Sequence, residues 1–286
     1  MKVLVFGKTG QVARALAKDA GRHNAVLEMY DRESADLASP DACAALVADT
    51  PADAVINAAA WTAVDDAETN EAAAYVINAD APDAMARAAA ARDIPFIHIS
   101  TDYVFSGDPG QPWKPNDTTA PLGAYGRTKL AGERAVAAAG GRSVILRTAW
   151  VFDGEGKNFV TTMLRVGKER DTLRIVADQV GGPTPASAIA DACLAIARAL
   201  IDDPVKAGTY HFSGAPDVSW ADFARAIFDR SGASVAVEDI TSAEYPTPAK
   251  RPANSRLDCS SLKSAFGIDR PDWGAALDTI LKEKRG

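Results

Sequence analysis

The chain has 286 residues, 47% of them apolar and 24% charged, with a net charge of −7. This is the balance of a soluble globular protein long enough for two modest domains, and it excludes a disordered chain or a bundle of membrane spans. The acidic surplus argues against a general nucleic-acid binder, whose affinity rests on a basic face, but leaves room for one small anionic ligand held by a few local arginines.

In chain order, the opening MKVLVFGKTG is apolar only as far as Gly7, a strand's length and too short for a signal-peptide core or a membrane span. Apolar runs at 2–6, 25–30, 53–60, 94–100 and 142–150 predict strands, and the stretches 11–20, 40–48, 71–92 and 124–139 between them predict helices. Such alternation implies right-handed βαβ units: an α/β fold with a Rossmann-type, doubly wound parallel sheet covered on both faces. Pro82 interrupts the third helix and predicts a kink or two shorter helices. Past Trp150 the pattern loosens, and loops rich in Gly, Pro and Asx separate helices near 158–169, 186–201, 219–231 and 272–284. Cys43, Cys193 and Cys259 are odd in number and far apart, so the reading is buried thiols in a cytoplasmic protein, with no disulfide framework and no cysteine metal site.

The first turn reads Gly7-x-x-Gly10-x-x-Ala13 between a strand and a helix. In a Rossmann unit these glycines permit a tight turn and bring backbone N–H groups to a pyrophosphate seated on the helix N-terminus. Lys8, Thr9, Gln11 and Val12 complete that turn, and Ala13 is small enough for helix and sheet to pack. Asp31, at the end of the second strand, is placed to accept from the ribose 2′-hydroxyl of NAD, whereas Arg32 beside it suits the 2′-phosphate of NADP. The choice between NADH and NADPH stays open. Asp36 and Leu37 follow as adenine-side contacts, with a capping or turn role for Asp36 equally compatible. Asn57, Ala58, Ala59 and Ala60 end the third strand where a cofactor passes close to backbone. The domains then read as an NAD(P)-binding unit, 1–150, and a smaller C-terminal substrate-binding unit, 151–286, with about 186–213 returning to the first.

Tyr125 and Lys129 stand at i and i+4, on one face of a helix about one turn apart. An isolated Tyr-x-x-x-Lys is weak evidence. It gains weight from its companions: FGKTGQV, NAAAWTAVDDAE, STDYVFSG, YGRTKLAGE, RTAWVF, DQVGGPT, YHFSG and RPANSRLD occur in this order over nearly the whole chain. Together they resemble the dTDP-4-dehydrorhamnose reductases, a branch of the extended short-chain dehydrogenase/reductase superfamily.

The resemblance implies reduction of the 4-keto group of dTDP-4-dehydro-L-rhamnose to dTDP-L-rhamnose, with NADPH or NADH as hydride donor. Hydride arriving at a carbonyl carbon leaves negative charge on oxygen, which needs a proton and hydrogen bonds at that moment. Tyr125 is the acid in this reading. Lys129 favours the ionised phenol, bringing its pKa toward working pH, and by resemblance holds the nicotinamide ribose. Thr101, at the end of the fourth strand, donates to the substrate oxygen; Asp102 orients neighbours, assists proton transfer or caps its loop. Val104, in the same stretch, counts with them as a substrate contact. By resemblance Trp150 packs against the sugar, its alternative being a core aromatic. Arg251 and Arg256, with Asn254, are counter-charges for the dTDP end, since arginine matches phosphate bidentately; ordinary surface ion pairs are the alternative.

His98 and His211 read as structural residues without metal-ligand spacing, and no metal site is expected. Ser106-Gly107 and Gly181-Gly182 read as turns. Some relatives are dimers bridged by magnesium through a glutamate of the first helix; this chain has Ala15 there, so a homodimer is admitted and a metal-bridged one disfavoured. Two alternatives keep the fold. A nucleotide-sugar epimerase, or a reductase of another sugar, shares the triad, and an epimerase would not consume its cofactor. A non-enzymatic NADP-binding regulatory subunit would bind cofactor and oxidise none.

Overall fold

The computed structural model describes residues 1–108 and 110–284; positions 109, 285 and 286 lie outside the described residues. Five of the predicted strands form, as β1 (Lys2–Phe6), β2 (Val26–Tyr30), β3 (Ala54–Asn57), β4 (Phe96–Thr101) and β5 (Ser143–Thr148). A sixth, Gly208–His211, joins them from far along the chain. The order across the sheet is Gly208–His211, β5, β4, β3, β1, β2, and every pair is parallel. The third strand stops at Asn57 rather than 60, because residues 58–60 turn out into a cleft.

Helices cover both faces. On one side α1 (Gln11–Asp19) and the helix Ala186–Asp202 pack through Leu16, Ile189, Cys193 and Ile196 onto Val3, Val5, Ile56 and Leu146. On the other, α2 (Pro40–Asp49) and the helix Ala81–Ala91 pack through Cys43, Val47, Met85 and Ala89 onto Leu4, Phe6, Val55 and Phe96. Strand residues alternate between the two clusters, as a sheet buried on both faces requires. A separate core in the second half gathers Phe152, Val160, Phe223, Phe228, Trp273 and Leu277 from the helices Phe159–Val166, Trp220–Ser231 and Trp273–Glu283 and their surroundings. All three cysteines are buried and unpaired. Among the described residues no helix is long and apolar enough to cross a membrane.

The predicted helix 71–92 is broken, and its break explains a neighbouring contact. It runs as Glu71–Tyr75, a wide π turn at Val76–Asp80, then Ala81–Ala91. Pro82 has no N–H to give to the carbonyl of Asn78 four residues earlier. That carbonyl instead faces the helix Ala124–Ala139, where a side chain on Gly132 would collide with it. The Asn78 side chain finishes the junction, accepting from Trp61 N at 2.9 Å and donating to Trp61 O and Thr128 Oγ1, each at 3.1 Å. Gly126, on the same helix, meets the carbonyl of Tyr103 with equal closeness.

The reading of Gly181-Gly182 as a turn is corrected. Gly181 lies in a short strand, Val180–Gly181, between Val218–Ser219 and Asn254–Ser255. It is small because the Trp150 ring lies on it, and Gly182 because the Gly214 carbonyl does. Gly107 has a left-handed φ of +71°, a conformation that favours glycine.

Gly132→Ala is expected to cost about 1–3 kcal/mol, the usual penalty for forcing a methyl into a packed contact, measured by urea unfolding. Unchanged stability would show that the helix Ala124–Ala139 is free to move off Asn78.

Candidate functional site

A cleft of about 920 Å³ opens at the C-terminal ends of the strands, beside the point where strand order reverses around β1. Doubly wound sheets present their ligands there. One end is the turn Gly7–Val12. Gly7 has φ of +112°, and a Cβ on it would press at 3.2 Å on Ala58 carbonyl atoms, so this glycine lets the ends of β1 and β3 approach. Gly10 is different: a Cβ there would meet nothing within 4 Å. Its smallness serves the cleft rather than the protein's packing. Behind it α1 begins with no acidic residue and no side-chain cap, leaving its first N–H groups and dipole toward the opening. Gln11 Oε1 and Thr148 Oγ1 are buried polar atoms without a hydrogen-bond partner among the described residues. A dinucleotide with its pyrophosphate on α1 fits these groups.

Asp31 stands at the β2 end of the cleft, but its carboxylate is already engaged. Oδ1 accepts from Ser34 N at 3.1 Å and Ser34 Oγ at 2.7 Å, and Oδ2 lies 3.5 Å from Lys8 Nζ. These bonds to Ser34, with the Lys8 charge, hold its pKa below the usual carboxylate range. Arg32 is exposed, 3.6 Å from Asp36. Asp36 caps its own turn through Ala38 N at 2.9 Å and also lines the cleft, as does Leu37, so its two readings coexist. Lys8, Thr9, Val12, Ala58, Ala59 and Ala60 all reach the cleft wall. Asn57 does too, but its amide turns inward: Oδ1 accepts from Ala59 N at 3.1 Å and Nδ2 lies 3.2 Å from His98 Nδ1.

At the floor of the cleft Thr101, Asp102, Tyr125 and Lys129 come together from β4, the turn after it and the helix Ala124–Ala139. Thr101 Oγ1 donates to Asp102 Oδ1 at 3.1 Å and accepts from Tyr103 N at 3.2 Å. The Tyr125 ring meets Tyr103 edge-on, with centroids 5.4 Å apart. Its pKa is raised, by burial first, then by Asp102 and Tyr103, with the Thr101 hydroxyl acting in opposition. This corrects the expected lowering by Lys129, whose Nζ instead donates to Ile99 O at 2.8 Å and lies 3.4 Å from His98 Nε2. Burial brings Lys129 itself down to about 8, opposed by Glu133. Asp102 is pushed up to about 6 by burial, against the hydroxyls of Ser255 and Thr101. The floor therefore holds a protonated phenol beside a hydroxyl, a set that can donate to an oxygen as charge develops on it.

The sequence matches the family described as the RmlD substrate binding domain over residues 1–285. It is 44% identical to a dTDP-4-dehydrorhamnose reductase of Sinorhizobium fredii, over 96% of this chain and 94% of that one. Among solved structures, a dTDP-4-dehydrorhamnose reductase of Clostridium acetobutylicum superposes with a TM-score of 0.93 at 37% identity, covering 100% of both chains. One from Bacillus anthracis, in complex with NADP, gives 0.91 at 31% identity over 99% of each. The chain belongs to the dTDP-4-dehydrorhamnose reductase family.

Not every residue that the family resemblance pointed to reaches the cleft. Trp150 does, at a left-handed φ of +50° that a bulky residue adopts only when its surroundings impose it. Trp220 stacks on its ring with centroids 3.6 Å apart, and Gly181 lies against the ring's Cε2 and Nε1 atoms. Val104 is fully buried among Phe105, Leu130, Ala149 and Leu257, away from the cleft wall, which removes it as a direct substrate contact in this conformation. Asn254 is buried too, donating to Asp108 O and Gln111 O and accepting from Arg256 Nε at 2.8 Å. Arg256 also donates to Gly110 O. Arg251 pairs with Asp65 at 2.7 Å, beside Tyr103. These three brace the loops around the cleft and do not line it.

Conversely, the cleft gains Lys157-Asn158, from a loop whose Gly and Asx content marked it as a binding loop without naming a residue, and Trp220, from the first turn of the helix Trp220–Ser231. Glu68 is a second omission. Its Oε1 accepts from Ala124 N at 2.8 Å and so caps, from another segment, the helix that carries Tyr125. Only its place in NAAAWTAVDDAE signalled it.

A carboxyl whose folded pKa is raised contributes stability that is fully present below about pH 4 and is lost as pH rises through about 6. Asp102→Asn removes that dependence. The stability of this variant relative to the parent is expected to be higher at pH 7.5 than at pH 4, by about 2 kcal/mol, from urea unfolding at both pH values; an equal difference at the two would place the Asp102 pKa at its ordinary value.

Proposed function

We propose that the protein reduces the 4-keto group of dTDP-4-dehydro-L-rhamnose to give dTDP-L-rhamnose, in dTDP-rhamnose biosynthesis, using NADPH or NADH. The observation that carries this reading is the meeting of Thr101, Tyr125 and Lys129 at the floor of a cleft that begins at a glycine turn and a free helix N-terminus. The names of the relatives and the NADP found with one of them support it.

A nicotinamide held in this cleft would supply a hydride to the sugar C4. As charge develops on O4, the Tyr125 phenol gives up its proton there and the Thr101 hydroxyl donates a hydrogen bond. The raised pKa of Tyr125 suits this direction of reaction, since it keeps the proton in place until an oxyanion forms to take it. Lys129 would hold the ribose of the cofactor, and the stacked pair Trp150 and Trp220 lines the cleft as an aromatic edge beside the sugar. Asp31 and exposed Arg32 stand side by side at the adenosine end, so both cofactors find a partner. The setting is cytoplasmic. The protein acts as a monomer or as a homodimer formed without metal, because Ala15, where some relatives place a bridging carboxylate, is buried against the sheet.

With dTDP-4-dehydro-L-rhamnose generated in the cuvette, loss of absorbance at 340 nm is expected to be stoichiometric with sugar, and comparing NADPH with NADH ranks the cofactors. Product forming with no net loss would favour an epimerase, and cofactor binding without turnover a regulatory subunit. Tyr125→Phe is expected to lower kcat by about 10²–10⁴, the usual span for a lost general acid, while NADPH affinity stays within a few-fold. A loss below about threefold would remove Tyr125 as the proton donor.

A further inference from the structure

The loop 153–158 joins the short strand Val151–Phe152 to the helix Phe159–Val166, and it meets the nucleotide turn of the first half through one side chain. Arg14, one turn into α1, donates from Nη1 to Thr9 O at 2.5 Å, and its Nη2 lies 3.2 Å from both Asp153 Oδ2 and Glu155 O. The Glu155 carboxylate stands 3.7 Å from Nε. Gly156 follows so closely that a Cβ on it would come to 3.2 Å from Nη2. The charge of Arg14 is thus met by two carboxylates and its fork is taken up by the protein, which makes it an anchor rather than a free recognition group.

The loop that Arg14 anchors is built to hold its shape. Asn158 Nδ2 donates to Asp153 O and Glu155 O, each at 3.0 Å, while its Oδ1 accepts from Thr161 N at 3.0 Å and caps the helix. Thr161 Oγ1 closes the turn, donating to Gly156 O at 2.7 Å. Lys157 stands in this frame, exposed and on the cleft wall. Of the exposed cations that line the cleft, it is the one without a carboxylate partner among the described residues. Lys8 lies 3.5 Å from Asp31 and Arg32 lies 3.6 Å from Asp36, whereas Lys129 is sunk in the floor. Glu155, the nearest acid in sequence, turns to Arg14 instead. A diphosphate needs a counter-charge, and a lysine supplies one as a point charge on a flexible stem. Arg251 and Arg256, expected in that role, brace loops away from the cleft wall.

We propose that Lys157 is a diphosphate-binding residue of the cleft, and that Arg14 is the positioning residue that sets it there by pinning the loop 153–158 to the nucleotide turn. The inference rests on the reading that the cleft takes a dinucleotide and a nucleotide-sugar, each of which carries a diphosphate. The pin gives the two halves of the chain a shared part in binding, since a residue beyond Phe152 is placed by a residue of α1.

The test measures the binding of NADP⁺ and of dTDP, separately, by calorimetry on the whole protein. Lys157→Met, a change at an exposed side chain, is expected to weaken one of the two by about tenfold, the scale of a hydrogen bond to a charged group, and to leave the other within about twofold. The ligand that weakens identifies the diphosphate. Lys157→Arg, which keeps the charge, is expected to retain the affinity. Arg14→Met is expected to weaken the same ligand, and the double variant no more than Lys157→Met alone, because Arg14 acts through Lys157; a merely structural role would add its loss independently. If Arg14→Met does not fold, Asp153→Asn loosens the same pin and takes its place. No loss in Lys157→Met, equal losses for both ligands from a general drop in positive field, or losses that add in the double variant each overturn the assignment. A parent that binds neither ligand removes this inference together with the proposed function, whereas a parent that binds both beside an unmoved Lys157→Met removes this inference alone.

Discussion

The site rests on one buried ion pair. Arg147, on β5, meets Glu133, on the helix Ala124–Ala139, with two parallel bonds of 2.9 and 2.6 Å. Ser100 of β4 adds a third donor to the same carboxylate at 2.5 Å. The other arginine nitrogen reaches Pro115 O at 3.0 Å and His211 Nε2 at 3.4 Å, and Phe105 lies against the guanidinium. His211, its Nδ1 donating to Trp113 O, stays neutral because burial and the Arg147 charge bring its pKa down to about 3. Its three central members are next in sequence, or along one helix face, to a residue of the cleft floor: Ser100 precedes Thr101, Arg147 precedes Thr148, and Glu133 lies one and two turns beyond Lys129 and Tyr125. Taking two charges out of water is costly and such a pair adds little net stability, but removing one partner alone strands the other, at about 3–5 kcal/mol. Its role here is geometric: three elements can satisfy those bonds in one register only.

That register explains why the chemistry runs with so few groups. The helix sits tightly on the turn after β4 at Gly126 and on the π turn Val76–Asp80 at Gly132, where backbone carbonyls approach it, and Glu68 secures its first turn. The phenol of Tyr125 and the hydroxyl of Thr101 are thereby brought together on rigid elements rather than loops. Preorganised donors of this kind need little rearrangement when charge appears on the substrate.

Much of this was legible in the sequence, and the limits have physical causes. Strands and helices of the first half declare themselves by apolar runs and by length, and Gly7, Gly10 and the Tyr125–Lys129 spacing are local patterns tied to local geometry. What escaped depends on partners distant in the chain. Asn254 and Arg256 looked like free recognition groups, yet they hold the carbonyls of Asp108, Gly110 and Gln111. Gly181 looked like a turn because nothing near it in sequence announces that Trp150 will lie across it. The pKa of Tyr125 was expected to fall on the strength of spacing alone; burial and the neighbouring Asp102 decide it instead, and both are properties of the folded cleft. Trp220 could not be told from a core aromatic until its ring was seen stacked on Trp150.

The strand Gly208–His211 has a bearing on how the protein is made. It completes the sheet beside β5, yet roughly 60 residues separate its start from Thr148 at the end of β5. During synthesis the strands of the first half emerge with β5 as an open edge, its backbone donors and acceptors unclaimed. At a translation rate of about 5–20 residues per second, that edge waits on the order of 3–12 s for its neighbour. Unpaired edges invite pairing with other chains. The first half of this protein is thus not a unit that can be finished and set aside while the rest is added, and the interval before residue 211 leaves the ribosome is the one in which nascent chains are most exposed to one another.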